Sequence, residues 1–87
     1  MDKSTKLRPL ASAQIRAGRA LIRWSATDLA NVSAVSVTTI RRAEIAEKGP
    51  SLTAANDLAI RRALENAGVE FIDENGGGPG VRLIRRS

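Results

Sequence analysis

Arginine is the chemically distinctive residue type of this chain, and it is unevenly placed. Arg8, Arg16, Arg19, Arg23, Arg41 and Arg42 fall in the first half with Lys3, Lys6 and Lys48. Residues 1–48 thus carry nine basic side chains against four acidic ones, while residues 49–87 carry five of each. The whole net charge of +5 sits in the first half. A guanidinium keeps its proton at any working pH and offers a rigid fork of donors, so it clamps phosphates and carboxylates rather than moving protons. A basic half of this kind suits a polyanionic partner, nucleic acid first among them.

The remaining side chains exclude most catalysis. The 87 residues include no His, Cys or Tyr, which removes imidazole bases, thiol nucleophiles, thiolate or imidazole zinc sites and disulfides. Glu44 has no second carboxylate or base indicated beside it, so it is not read as a catalytic acid. The run Gly76-Gly77-Gly78-Pro79-Gly80 lacks the Lys-Ser/Thr of a phosphate-binding loop and no helix follows it, so it reads as a turn. The expectation is a protein that is not an enzyme and needs no metal or cofactor. Aromatics are confined to Trp24 and Phe71, which argues against readers that stack several single-stranded bases on rings and favours double-stranded DNA.

These arginines need a scaffold, and the chain punctuates one clearly. Residues 1–10 read as a flexible basic arm. A helical pattern starts at Ser12, a possible N-cap, with Ala11, Ile15, Gly18 and Ile22 on one side, and stops at Trp24, read as core. Ser25-Ala26-Thr27-Asp28 has the form of a capping box and opens a short helix to about residue 32, with Leu29 and Val32 inward. Residues 33–35 make a tight connection. Ser36 caps a third helix over 37–43, with Ile40 inward. Residues 47–51 form a loop. Thr53 then caps the longest helix, 54–67, which carries Leu58, Ala59, Ala63, Leu64 and Ala67 as its apolar stripe and ends at Gly68. Residues 69–72 and 81–84 alternate with period two around a glycine-rich turn, a hairpin.

Two short helices joined by about three residues make a helix-turn-helix candidate. The stretch 15–44 resembles the phage-repressor/Cro-like (Xre-type) helix-turn-helix family through Ile15, Arg19, the Trp24-Ser25 junction, Asp28-Leu29-Ala30, Val35-Ser36, Ile40 and Glu44. The segment 69–83, VEFIDENGGGPGVRL, is similar to the C-terminal extension of small bacterial regulators within that family. The resemblance implies a mainly α, lambda-repressor-like bundle of about four helices with a C-terminal β-hairpin: arm 1–10, DNA-binding domain 11–68, and hairpin 69–87 as a dimerisation element. It implies a recognition helix, 36–44, in the major groove. Val37, Thr38 and Arg42 would reach base edges, and Ser25, Ser36, Thr39, Arg41, Arg16, Arg23, Lys3 and Lys6 would meet phosphates, with Arg8 a further candidate. Arg19 and Glu44 would form a structural ion pair. The family often has glycine where this chain has Arg23 and Ala34. Either these residues adopt φ > 0, at roughly 1 kcal/mol each, or the turns differ. Ala26 replaces the family's common Gln, a phosphate contact.

The function so implied is a sequence-specific, double-stranded DNA-binding transcriptional regulator, a dimeric repressor on a palindromic operator. The alternatives are an architectural DNA binder of the excisionase type, and an antitoxin or adaptor working through a protein partner of unknown kind. Alternation sets Val69, Phe71, Val81 and Leu83 on one face of the hairpin and Ile72 and Ile84 on the other. Phe71, Ile72, Leu83 and Ile84 are the expected homodimer contacts. No apolar run approaches the roughly 18 residues of a membrane span and the N-terminus lacks a signal-like stretch, so the expected location is the cytoplasm, at the nucleoid.

Overall fold

A computed structural model describes residues 8–46 and 52–84. Four helices are followed by one antiparallel hairpin: α1 (Ser12–Leu21), α2 (Ala26–Ser33), α3 (Val37–Ile45), α4 (Ala54–Asn66), β1 (Val69–Ile72) and β2 (Gly80–Leu83). The expected mainly α class with a C-terminal hairpin is what the chain adopts. The expected loop at 47–51 lies outside the described residues.

Local capping explains most boundaries. The Ser25 hydroxyl accepts the Asp28 N–H and the Asp28 carboxylate accepts the Ser25 N–H, both at 2.9 Å, a complete capping box. Ser36 and Thr53 accept the N–H groups of Thr39 and Asn56. Gly68, at φ 107°, follows the end of α4 in the left-handed region that glycine enters without strain. The start of α1 differs from expectation: the N-cap is Ala11, not Ser12. Gln14 Oε1 accepts the Ala11 N–H at 2.9 Å, half of a capping box. This frees the Ser12 hydroxyl to be shared between the carbonyls of Ala43 and Ala46, which ties the start of α1 to the end of α3.

The core gathers one or two large side chains from each helix and one from β1. Leu10, Ile15, Leu29, Ile40, Ile60, Leu64 and Val69 are fully buried, with Val35 and Ala26, Ala43 and Ala63 filling between them. At Gly18 an added Cβ would stand 3.3 Å from Leu64 Cδ1 and 3.5 Å from Val69 Cγ1, so the missing side chain lets α1 approach α4 and β1 closely. Val32 is 57% exposed, contrary to its expected inward position. Ala26, Leu29, Ala30 and Ser33 occupy the inner side of the eight-residue α2 and turn Val32 outward. On α4 the buried stripe is Ile60, Arg61, Ala63 and Leu64, with Leu58 and Ala59 only half-buried. It is therefore centred nearer Ile60 than the sequence suggested.

The end of the expected loose arm is built into the fold. Leu10 is 1% exposed, its N–H donates to Asp57 Oδ2 at 2.9 Å, and the Arg8 carbonyl accepts from Arg61 Nη2 at 2.7 Å. Around the buried Arg61 stand that carbonyl, Asp57 at 3.9 Å and the Phe71 ring, whose centroid lies 5.4 Å away, while its Nε has no hydrogen-bond partner among the described residues.

In the hairpin Val69 pairs with Leu83, Glu70 with Arg82, Phe71 with Val81 and Ile72 with Gly80. The Ile84 N–H extends the ladder to the Gly68 carbonyl at 2.7 Å. Strand β2 runs one residue earlier than expected because Gly80 already pairs. Val69, Phe71 and Val81 pack on the core, whereas Leu83, expected beside them, is half exposed at the strand end. The buried Gln14 side chain donates to both the Ile72 and Gly80 carbonyls, at 3.2 and 3.0 Å, fastening the turn end of the hairpin to α1.

Candidate nucleic-acid interface

The helix-turn-helix geometry rests on two backbone positions. Arg23 follows α1 at φ 59° and Ala34 follows α2 at φ 63°. Both turns thus keep the left-handed geometry for which glycine is the easy residue, and each costs roughly 1 kcal/mol as a non-glycine. Ala34 N–H closes on the Ala30 carbonyl at 2.9 Å, the Val35 N–H finds the Ser33 hydroxyl at 3.2 Å, and the buried Val35 side chain pins the turn to the core. Ser36 then starts α3 at once.

Helix α3 divides into two faces. Ile40, Ala43 and Glu44 are buried, while Thr38, Arg41 and Arg42 are exposed. Among the described residues neither Arg41 nor Arg42 makes an ion pair or a side-chain hydrogen bond. Val37 is half-buried against the core, so only part of its surface is offered outward. The Ser36 hydroxyl donates to Thr39 Oγ1 at 2.9 Å while accepting the Thr39 N–H, a closed pair at the helix start. No acidic residue stands in the first turn of α3, so the partial positive charge of its N-terminus is not neutralised from within the helix.

An ion pair also ties α3 to α1. Arg19 Nε and Nη2 grip Glu44 Oε2 and Oε1 at 2.6 and 2.8 Å, and Nη1 donates to the Trp24 carbonyl at 2.8 Å. One guanidinium thus joins α1, the α1–α2 turn and α3. The bond to Glu44 raises the Arg19 pKa above its ordinary value. Trp24 is half-buried against the core above this junction.

The other expected phosphate contacts fare differently. Arg16 Nη1 donates to the Glu44 carbonyl, so this side chain braces the end of α3 instead of standing free. Ser25 is occupied by its capping box, and the Asp28 carboxylate already lies at the N-terminus of α2. A phosphate there would lie close to that negative charge. Arg23 is exposed and without a partner among the described residues. Lys3 and Lys6 lie outside the described residues. Phe71, expected at a dimer contact, packs instead against the core under Arg61.

Three side chains with structural weight went unread in the sequence: Gln14, Asp57 and Arg61. The spacing Ala11-x-x-Gln14 and the i,i+4 pair Asp57/Arg61 were the available signals. Among the described residues no group of three or more Asp or Glu could hold a metal ion. A cleft of about 220 Å³ opens between Pro9, Gln14 and the hairpin turn at Asp73, Glu74 and Pro79, and no residue of α3 lines it. No helix among the described residues is long and apolar enough to cross a membrane. A scan of protein-family models finds none that matches the chain, and a search of curated proteins finds no match either.

Proposed function

We propose that this chain is a sequence-specific, double-stranded DNA-binding transcriptional regulator, a repressor that presents α3 to the major groove. The observation that carries the reading is the outer face of α3. Thr38, Arg41 and Arg42 stand exposed on a helix whose inner face is fixed by Ile40, Ala43 and the Arg19–Glu44 pair. Among the described residues Arg19, Arg61 and Arg82 each hold a carboxylate partner and Arg16 holds a carbonyl, while Arg8, Arg23 and Arg62 share with Arg41 and Arg42 the absence of a side-chain partner. Arginines left unpaired on one rigid helix suit an external anion. The resemblance of residues 15–44 to the Xre-type family supports the same reading.

In this proposal Arg42 hydrogen-bonds a guanine edge and Thr38 meets a neighbouring base. The exposed part of Val37 adds apolar contact. Arg41, Arg23 and the Ser36–Thr39 helix start meet phosphates and set the docking position. The test is fluorescence anisotropy on the DNA upstream of the protein's own coding region, against shuffled DNA of equal length, at two salt concentrations. Arg42→Ala is expected to cost about 1–3 kcal/mol on the upstream DNA and little on shuffled DNA. Arg41→Ala weakens both and flattens the salt slope by about one unit. Equal affinity of the wild-type protein for both DNAs overturns the proposal.

A further inference from the structure

An α-helix leaves its last four carbonyls without an acceptor's partner in the helix itself, and in α3 these belong to residues 43–46. Helix α1 supplies donors for three of them. The Ser12 hydroxyl is shared between the carbonyls of Ala43 and Ala46, and Arg16 Nη1 donates to the carbonyl of Glu44. One turn further along, Arg19 holds the Glu44 carboxylate. Ser12, Arg16 and Arg19 stand at i, i+4 and i+7, so one stripe of α1 serves one end of α3. The other end of α3 is held by its own Ser36, whose hydroxyl accepts the Thr39 N–H. The two ends of this helix therefore depend on different parts of the chain.

The division matters because Arg42 lies at the end that α1 completes. Arg42 stands in the last turn of α3 and Thr38 in the first. Fraying from the C-terminus carries Arg42 away with its backbone, whereas Thr38 stays on the Ser36 cap. Arg16 also has the charge that this end favours, since the C-terminus of a helix carries partial negative charge. Arg16 is an exposed residue, yet its Nη1 is spent on the Glu44 carbonyl. We infer that Arg16, with Ser12, caps α3 from α1, and that Arg16 is a positioning residue for base recognition by Arg42 rather than a phosphate contact. The inference rests on the DNA reading proposed above and names a residue outside the recognition helix that sets its specificity. Arg16 acts through the backbone of Glu44, two residues beyond Arg42, without touching the DNA.

The cap is tested without DNA, by amide hydrogen exchange in the full chain. Arg16→Met keeps the aliphatic stem and removes the donors, and Ser12→Ala removes the shared hydroxyl. Each is expected to speed exchange of the Ala43, Glu44 and Ile45 amides about two- to tenfold, the worth of one hydrogen bond. The Ile40 amide, bonded to the Ser36 carbonyl, is expected to be unchanged. Arg16→Lys, which keeps the charge and a donor, is expected to restore most of the protection. The positioning role is tested by anisotropy on upstream DNAs carrying single base-pair substitutions. Arg42→Ala identifies the base pairs at which discrimination is lost. Arg16→Met is expected to lose about two- to tenfold discrimination at those pairs and no others, at an unchanged salt slope, and to add nothing in the Arg42→Ala background. A phosphate contact would instead weaken every sequence alike and flatten the slope by about one unit. Unchanged exchange at residues 43–45, a flattened slope, or additive effects of the two variants each overturns the inference. Faster exchange with discrimination intact overturns the positioning role alone. A wild-type protein that binds all the DNAs equally overturns the DNA reading and the positioning role with it, so the two failures are distinguishable.

Discussion

Replacing Arg19 with alanine strands the Glu44 carboxylate in a site where its side chain is only 7% exposed. Two charge-assisted hydrogen bonds at 2.6 and 2.8 Å disappear, and the Trp24 carbonyl loses the donor at 2.8 Å. Breaking a buried pair from one side costs about 3–5 kcal/mol. Arg19 itself is 21% exposed, so water reaches the vacated space and the expected loss falls to about 2–3 kcal/mol. For a domain of this size that lowers Tm by roughly 10–20 °C. Glu44→Ala leaves the more exposed partner uncompensated, with the Trp24 carbonyl still bound, and is expected to cost less. Arg19→Lys keeps the charge but loses the fork, so it recovers only part of the stability. Urea unfolding of Arg19→Ala, Glu44→Ala and the double variant isolates the pair from its surroundings, read as shifts in midpoint at constant m. The expected coupling is about 1.5–2 kcal/mol. A coupling below about 0.5 kcal/mol would refute the argument that this pair fixes α1 to α3.

Two further outcomes follow from the backbone and from the hairpin anchor. Arg23→Gly and Ala34→Gly each relieve a positive φ and are expected to raise stability by up to about 1 kcal/mol, measured by the urea midpoint, while Arg23→Gly also weakens DNA binding in the anisotropy assay. A loss of stability in both variants would contradict the left-handed geometry of these turns. Gln14→Ala removes the acceptor for the Ala11 N–H and both donors to the Ile72 and Gly80 carbonyls. It is expected to cost about 2–3 kcal/mol and to speed amide exchange in β1 and β2 more than in α3. Uniform exchange across the chain would show that Gln14 does not anchor the hairpin.

What the sequence made legible was local. The helix starts at Ser25, Ser36 and Thr53 and the stop at Gly68 each depend on a side chain or glycine bonding within a few residues of itself. The alternation in the hairpin is equally short-ranged. The exceptions are set by distant partners. Ser12 is drawn from its own helix start to α3 by the carbonyls of Ala43 and Ala46. Val32 faces outward because Leu29, with Ala26, Ala30 and Ser33, takes the inner side of α2, and Leu83 loses its cover at the strand end. Arg61 reads as an ordinary surface cation until residues 8–10, Asp57 and Phe71 close around it. On α3 the pattern indicated which arginines would be exposed, because Ile40, Ala43 and Glu44 define the opposite face. It did not show that Arg16 would turn back to the Glu44 carbonyl, since that bond spans 28 residues of chain.

The bonds of Gln14 to Ile72 and Gly80 span 58 and 66 residues, and this has a consequence for folding kinetics. A four-helix chain built on near-neighbour contacts reaches its native state quickly, because little loop entropy is lost before each contact forms. Here α1 can pack on α3 early through Ile15 and Arg19, but Gln14 in its first turn buries an amide whose acceptors arrive with the hairpin. The closing step of folding is therefore the docking of the hairpin onto α1, a long-range event that brings opposite ends of the chain together. Until it occurs, the Gln14 side chain keeps its water and the turn end of the hairpin has no anchor. Helix signals are expected to develop ahead of protection in β1 and β2, with the interval between them set by loop closure rather than by helix formation.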